Sequence, residues 1–279
     1  MPYHRPRSLS DALALRAGGG VRLLAGGTDL YAATPAPVLS GDIVDLTAVS
    51  GLSGIGETPE GWRIGATTRW SEIAGADLPP AFDALKQAAR EVGAVQIQNS
   101  GTIGGNLCNA SPAADGVPPL LALDAEVEIA SRTETRRQGL AAFLTGARAT
   151  TLGDDEILTA IHIPADATRG TSAFGKLGAR RYLVISIVMV AVRLELERGR
   201  IGRAAVAVGA CSPVAQRLPG LEAALAGQAP GNPHHWRAAL EADIAQRLAP
   251  IDDIRADAAY RRGAVAELVI DTIARAAAP

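Results

Sequence analysis

The stretch from Gln98 to Asp115, QNSGTIGGNLCNASPAAD, constrains the fold of this chain more than any other. It contains few large apolar side chains, and three of its residues are the glycines Gly101, Gly104 and Gly105. Glycine permits positive φ angles and lets the backbone approach a ligand closely. A polar segment of this length between apolar runs is more often functional than a plain connection. We therefore predict a ligand-binding loop here, with a glycine-rich surface loop as the alternative.

A second glycine turn follows a short apolar run near the N-terminus. Val21–Leu24 is long enough for a buried strand, and the residues after it, Ala25–Asp29, read AGGTD. Backbone N–H groups in such a turn point outward together and bind anions, and we expect Thr28 or Asp29 to cap a helix. The turn matches neither the G-x-G-x-x-G nor the G-K-[ST] nucleotide motif. Two anion-binding turns indicate one ligand whose diphosphate is held between them.

The composition is that of a globular protein with a sizeable core. The chain has 279 residues, 48% of them hydrophobic, which suits about two domains. Its 27 basic and 29 acidic residues show no basic stripe, which argues against nucleic-acid binding. The most apolar run, Leu183–Val192, is half a membrane span and predicts a buried strand. No apolar signal segment follows Met1, so we expect a cytoplasmic protein without a membrane span.

Cysteines and histidines are too few to form a metal centre. Cys108 and Cys211 are the only cysteines, whereas an iron–sulfur cluster usually needs four thiolates. The four histidines form no ligand motif, and no catalytic nucleophile, acid or base constellation is visible. Cys108 lies inside the glycine-rich stretch, where it is either a small buried hydrophobic residue or a neighbour of the ligand.

The apolar pattern predicts an α+β fold with many short strands and no regular βαβ alternation. An amphipathic helix is predicted over Ala81–Val92, and a strand over Ile157–Ile163. The polar segment Asp166–Gly170 lacks periodic apolar residues, and we place the domain boundary there. The first domain is then residues 1–168, in two lobes at about 1–55 and 56–168, and the second is 169–279.

The second domain is predicted to be a small antiparallel sheet packed on helices. Its sheet has two predicted strands, Val184–Glu195 and Ala204–Val208. The last helix is predicted from about Ile254 to Ala277.

Both glycine segments resemble those of one known family. AGGTDL at Ala25–Leu30 and TIGGNLCNASPAAD at Thr102–Asp115 are similar to the FAD-binding subunit of the molybdenum hydroxylases. That family includes xanthine dehydrogenases, aldehyde oxidoreductases and aerobic carbon monoxide dehydrogenases. Weaker similarities follow in the same order, at Asp154–Pro164, Ser172–Arg181 and Asp253–Arg262. The resemblance therefore covers nearly the whole chain and implies that the first, two-lobed domain binds FAD.

The resemblance implies a set of cofactor-binding residues. Arg22–Leu24 align with the adenine side, Asp115 with an acceptor for sugar or ribityl hydroxyls, and the glycine segments with the diphosphate. Ile157 and Leu158 align with residues that contact the flavin ring, or they are ordinary core. Lys176 aligns with a cation that stabilises reduced flavin, or it is a solvated lysine. The implied set is Arg22, Leu23, Leu24, Ala25, Gly26, Gly27, Thr28, Asp29, Leu30, Gly101, Thr102, Ile103, Gly104, Gly105, Asn106, Cys108, Asn109, Asp115, Ile157, Leu158 and Lys176.

The resemblance also implies partner chains. This chain would pass electrons from [2Fe–2S] clusters on a small subunit through FAD to an external acceptor. The molybdenum cofactor would lie on a large molybdopterin-binding subunit, and the assembly would be a dimer of heterotrimers. Family members often carry an acid after the double arginine, but Tyr182–Val184 follows Arg180-Arg181 here, which puts NAD in doubt as acceptor. The alternatives are a stand-alone flavin reductase or oxidase with the same fold, and a non-catalytic flavin-holding assembly module.

Overall fold

The first part of the chain alternates short strands and helices, and the last part forms one longer sheet covered by helices. The computed structural model describes residues 2–36 and 39–278, so Met1, Pro37, Val38 and Pro279 lie outside the described residues. Among these residues the strands are β1 (Tyr3–His4), β2 (Val21–Leu24), β3 (Asp42–Asp45), β4 (Ile55–Thr58), β5 (Gly61–Gly65), β6 (Glu126–Ala130), β7 (Thr135–Gly139), β8 (Leu144–Gly146), β9 (Ala149–Thr150), β10 (Ile157–Pro164), β11 (Thr171–Leu177), β12 (Val188–Glu197), β13 (Arg200–Gly209) and β14 (Gln216–Arg217). The helices are α1 (Leu9–Ala17), α2 (Thr28–Ala32), α3 (Trp70–Gly75), α4 (Asp83–Glu91), α5 (Val95–Gln98), α6 (Ile103–Asn109), α7 (Val117–Ala122), α8 (Leu140–Phe143), α9 (Pro219–Leu225), α10 (Arg237–Arg247) and α11 (Ala258–Ala277).

A small parallel sheet of order β1-β3-β2 forms the first lobe. Helix α1 begins at Ser8, whose hydroxyl accepts the backbone N–H of Asp11 at 3.1 Å and so satisfies one of the free donors of the first turn. Leu13 of this helix is buried together with Val44 of β3 and Leu46. The carboxyl end of β2 leads directly into the first glycine turn.

The second lobe is an antiparallel sheet of order β4-β5-β10-β6-β7 packed on helices. The strand predicted over Ile157–Ile163 is β10, at the centre of this sheet. The predicted amphipathic helix begins with a 3-10 turn at Pro80–Phe82 and continues as α4. Trp70, Phe82 and Phe143 are fully buried in the core of this lobe.

The last part of the chain is an antiparallel sheet of order β11-β12-β13-β14, covered by α9, α10 and α11. Strand β11 was not predicted, because Gly175 and Lys176 interrupt its apolar pattern. The strand predicted from Val184 begins only at Val188, since Leu183 has a φ of +53° and both Leu183 and Ile185 are exposed. The last helix begins at Ala258 rather than near Ile254. The predicted α+β class is confirmed, and no helix of the described residues has the length and apolarity to cross a membrane.

A buried guanidinium ties α11 to the segment that precedes β12. Arg261 has no exposed surface and donates to the carbonyl of Ile187 at 2.6 Å and to that of Ala210 at 3.0 Å. Its charge is balanced by Asp253, 2.8 Å away. Asp253 also accepts from Arg255 at 2.5 Å, and this hydrogen bond, helped by the charges of both arginines, holds the pKa of Asp253 well below its usual range.

Replacing Asp253 by Asn is expected to destabilise the protein by about 3 kcal/mol at pH 7, because the buried charge of Arg261 loses its counter-ion. The pKa of Asp253 is depressed in the folded state, so its stabilisation is present above the ordinary value of about 3.9 and is lost as the pH falls further. Urea denaturation gives the free energies of unfolding of variant and wild type. The difference between them should therefore be smaller at pH 3 than at pH 7.

The matched control is Asp271→Asn, which removes an exposed ion pair between Asp271 and Arg275. Such a pair contributes well under about 1 kcal/mol, so this variant should unfold close to wild type. Equal urea midpoints for Asp253→Asn and wild type at pH 7 would contradict the role of the buried pair.

Candidate functional site

A cavity of about 850 Å³ lies where the two glycine segments meet. Its walls come from both lobes of the first part and from residues 183–185 of the second. The predicted site residues that line it are Leu23, Leu24, Ala25, Gly26, Gly27, Thr28, Asp29, Leu30, Gly101, Thr102, Gly104, Gly105, Asn106, Cys108, Asn109, Asp115, Ile157 and Leu158. Folding thus places segments that are far apart in the first 158 residues around this one cavity.

The two glycine segments touch backbone to backbone. A β-carbon placed on Gly26 would overlap the carbonyl oxygen of Ser100 and lie 2.7 Å from the Cα of Gly101. No side chain fits at that separation, so glycine at position 26 is a packing requirement. The contact sets the distance between the lobes at the cavity wall.

The first glycine turn presents free N–H groups, as predicted. Gly27 has a φ of +71° and is the N-cap of α2, one residue before the predicted cap at Thr28 or Asp29. Its left-handed conformation is one that glycine adopts at no steric cost. The backbone N–H groups of Thr28, Asp29 and Leu30 have no hydrogen-bond partner among residues 2–36 and 39–278. They line the cavity and are available to an anion.

The second glycine segment differs from the prediction. It is not a loop with positive φ angles: Thr102 is the N-cap of α6, and Gly104 and Gly105 lie in the helix. The N–H of Ile103 donates to the Thr68 carbonyl at 3.0 Å, that of Gly104 to the Ala66 carbonyl at 2.8 Å, and that of Gly105 to the Thr102 hydroxyl at 3.1 Å. These N–H groups already have hydrogen-bond partners, so the prediction of two equivalent anion-binding turns is wrong.

The glycines of α6 serve close packing instead. A β-carbon on Gly104 would lie 2.6 Å from the carbonyl oxygen of Ala66, the group that receives its N–H. What α6 does offer the cavity is a side chain: the Oδ1 atom of Asn106 is buried and has no hydrogen-bond partner in the described part of the chain. Such an atom is costly unless a ligand or water reaches it.

Lys176 does not line the cavity. Its ammonium is 2.6 Å from Asp115 and 3.2 Å from the carbonyl of Glu91, and its side chain is almost completely buried. Asp115 accepts a second hydrogen bond from the hydroxyl of Ser186 at 2.5 Å. Burial raises the pKa of Asp115, whereas Lys176 and Ser186 act to lower it. Asp115 in the cavity wall is therefore paired with a buried cation outside the lining, in place of the free cation and free acceptor that the resemblance implied.

Arg22 and Ile103 also lie outside the cavity lining. Ile103 is completely buried in the core of the second lobe, and Arg22 pairs with Ile43 in the first sheet. Ile157 lines the cavity but packs in the same apolar cluster as Leu46 and Leu23. Ile157 therefore packs with Leu23, which the resemblance aligned with the adenine side. Lys176 instead binds Asp115 and the carbonyl of Glu91.

Two arginines that line the cavity were not predicted from the sequence. Arg16, in the last turn of α1, donates to the carbonyl of Val21 at 2.9 Å, and its buried Nε atom has no partner among the described residues. Arg148, with a φ of +59° between β8 and β9, donates to the side-chain and backbone oxygens of Asn109. Neither arginine belongs to a motif, and only the tertiary fold brings them to the cavity.

Cys108 opens into the cavity near Arg16. Desolvation by the surrounding protein raises the pKa of its thiol to about 12, although the charge of Arg16 acts in the opposite direction. This direction of shift favours the neutral thiol. Other lining residues that were not predicted are Leu46, Ala66, Thr67, Trp70, Val92, Gly93, Ala94, Ile97, Ala33, Ser111, Ala113, Ala114, Leu152, Leu183, Val184 and Ile185.

Both parts of the chain match known protein families. Residues 1–166 match the family described as the FAD binding domain in molybdopterin dehydrogenase. Residues 173–276 match the CO dehydrogenase flavoprotein C-terminal domain.

Individual proteins are similar over almost the full length. The chain is 32% identical to the xanthine dehydrogenase FAD-binding subunit of Escherichia coli O157:H7, with 99% of this chain and 96% of that one covered. It is also 32% identical to the nicotine 6-hydroxylase medium subunit of Paenarthrobacter nicotinovorans, covering 99% and 97%. The solved carbon monoxide dehydrogenase from Hydrogenophaga pseudoflava superposes with a TM-score of 0.89 at 28% identity, covering 99% and 96%.

Substituting Gly26 by Ala is expected to separate the two glycine segments, because the new methyl group would overlap the Ser100 carbonyl. The affinity of the folded protein for FAD should then fall at least about tenfold, a loss of at least 1.4 kcal/mol, so that the purified protein carries less flavin than wild type. The measurement is flavin absorbance per mole of folded protein, with circular dichroism to establish folding. Gly56→Ala is the control, since its methyl group would meet nothing within 4 Å. A fully yellow Gly26→Ala protein would refute the contact as a condition for binding.

Proposed function

This chain belongs to the family of FAD-binding medium subunits of molybdenum hydroxylases, and we propose that it is the flavin-carrying electron-transfer subunit of a three-subunit enzyme. Relatives are named as medium chains of carbon monoxide dehydrogenases and as FAD-binding subunits of xanthine dehydrogenases. The observation that supports the proposal most directly is the cavity lined by both glycine segments. We also propose that the domain boundary lies between residues 168 and 169, just before β11.

The residues of the cavity fit FAD. Free N–H groups at Thr28–Leu30 suit an anionic diphosphate, and the unpartnered Oδ1 of Asn106 suits a hydroxyl or N–H donor. Arg16 and Arg148 add positive charge from two different lobes. When bound, FAD supplies reversible electron transfer, which none of the side chains in this chain can perform.

We assign the two ends of FAD to different parts of the cavity wall. In the proposal, Leu23, Leu46 and Ile157 enclose the adenine, because they form one apolar cluster beside Arg16. The flavin ring lies at the opposite end, where Asp115 and the loop that carries Leu183 close the wall. The diphosphate then lies between the ends, against the N-terminus of α2.

The proposal assigns Lys176 a role that acts through Asp115. The two groups form a buried pair, which adds no net charge to the flavin end. Electrons arrive from [2Fe–2S] clusters of a small partner chain, and the molybdenum cofactor lies on a large partner chain. The acceptor is external, and the full assembly is a dimer of heterotrimers.

Purification from the native host tests this function. The chain should elute with a large and a small partner, and the complex should contain FAD, molybdenum and [2Fe–2S] clusters. Light scattering should give the mass of two heterotrimers. A chain that purifies alone and turns over NADPH with a small substrate would overturn the proposal in favour of a stand-alone flavin reductase.

Removing either member of the Asp115–Lys176 pair should shift the reduction potential of bound flavin in opposite directions. Lys176→Met removes the ammonium that lowers the pKa of Asp115, so at a pH above that raised pKa it leaves a negative charge that disfavours the anionic reduced flavin. Asp115→Asn leaves a positive charge that favours the anionic reduced flavin. Each shift should be on the order of tens of millivolts, since 1.4 kcal/mol is about 30 mV for a two-electron couple. The double variant should return close to wild type.

Potentiometric titration of the FAD-loaded proteins measures these shifts. Lys86→Met is the control, because it removes the only other lysine of the chain from a site outside the cavity. If both single variants have reduction potentials within a few millivolts of wild type, the pair does not lie at the flavin end.

A further inference from the structure

Asp115 belongs to the first part of the chain, yet both of its carboxylate oxygens are held by the second part. Oδ2 accepts from the ammonium of Lys176 on β11 at 2.6 Å, and Oδ1 accepts from the hydroxyl of Ser186 at 2.5 Å. An ionised carboxylate can only accept hydrogen bonds, so these two donors fix its orientation. Asp115 is buried and lines the cavity, so that orientation shapes the cavity wall.

The backbone of Ser186 is held independently of Asp115. Ser186 has no exposed surface, and its carbonyl accepts from the guanidinium of Arg255 at 3.1 Å. The N–H of the next residue, Ile187, donates to the carbonyl of Leu177 in β11 at 2.8 Å. A serine hydroxyl carries one proton, and here Asp115 receives it. The hydroxyl is therefore presented to the carboxylate from a fixed position.

Lys176 and Ser186 stabilise the ionised form of Asp115 in different ways. Lys176 supplies an opposite charge and a hydrogen bond, whereas Ser186 supplies a hydrogen bond alone. Burial has the largest influence and raises the pKa of Asp115, while both partners lower it. Without the Ser186 hydroxyl the pKa of Asp115 would rise further, because a hydrogen bond to the charged form is lost. Asp115 would then take up a proton at a higher pH, and the ammonium of Lys176 would remain unbalanced.

We propose that Ser186 is a positioning residue, whose hydroxyl keeps the carboxylate of Asp115 ionised and fixed in orientation at the flavin end of the cavity. The inference rests on the proposed function, because that function places the flavin ring beside Asp115. Ser186 is not among the residues that line the cavity, so it acts through Asp115 and not through contact with FAD. What it controls is the charge that the anionic reduced flavin meets.

Ser186→Ala removes the hydroxyl and adds no bulk, and potentiometric titration of the FAD-loaded full chain measures the result. As the pH falls, Asp115 should take up a proton in the variant before it does so in wild type. The unbalanced charge of Lys176 then favours the anionic reduced flavin. The reduction potential of the variant should therefore exceed that of wild type by an amount that increases as the pH is lowered from 9 to 6.

Two further variants serve as controls, with flavin absorbance and circular dichroism to establish that each protein is folded and loaded. Ser186→Thr retains the hydroxyl and should follow the wild-type profile. Ser172→Ala removes the hydroxyl of another buried serine, which binds only backbone groups of Pro80, Ala81 and Ala84. Its potential should follow wild type at every pH.

The same substitution in the Asp115→Asn background separates positioning from a general structural effect. The carboxylate through which Ser186 acts is absent there, so Ser186→Ala should cause no further pH-dependent change. A pH-dependent shift that persists in this background would overturn the inference. If Asp115→Asn alone leaves the potential unchanged, Asp115 does not lie at the flavin end, and that part of the proposed function fails together with the inference. If Asp115→Asn shifts the potential and Ser186→Ala has the wild-type profile, only the inference fails.

Discussion

The contact between Gly26 and the Ser100–Gly101 backbone is the constraint on which the site depends. At this contact the two segments meet main chain to main chain, without an intervening side chain. The cavity on either side of this contact is then shaped by neighbouring packing: Trp70 beneath Gly101, Ile157 with Leu46 in the first lobe. The lobes are thus fixed to each other at the point where, in the proposed function, FAD crosses between them.

Glycine has a different structural role in each of the two segments. In the first, Gly27 needs a left-handed conformation, and the turn leaves three N–H groups free. In the second, Gly104 needs proximity to Ala66, and its N–H is consumed by that contact. In the proposed binding mode, the positive charge that a second nest would have provided comes from Arg16 and Arg148. A diphosphate would then be met by main-chain dipoles on one side and by guanidinium groups at the C-terminal end of α6.

Local features of the site could be predicted from the sequence, and its long-range pairings could not. The glycine turn after β2 and strand β10 follow from residues within a few positions of each other, so periodicity and turn chemistry suffice. Lys176 and Asp115 are 61 residues apart, and their pairing depends on how β11 packs beside α4. Arg16 lies on a helix whose pattern predicts only a surface position. Leu183 was predicted to lie in a buried strand, yet a positive φ at this residue turns the segment outward.

Ser186 connects the cavity wall to the frame of the last helix. Its hydroxyl donates to Asp115, which lines the cavity, and its carbonyl accepts from Arg255. Arg255 in turn binds Asp253, the counter-ion of the buried Arg261 in α11. A helix that contributes no residue to the cavity lining therefore helps to position an acid in the cavity wall.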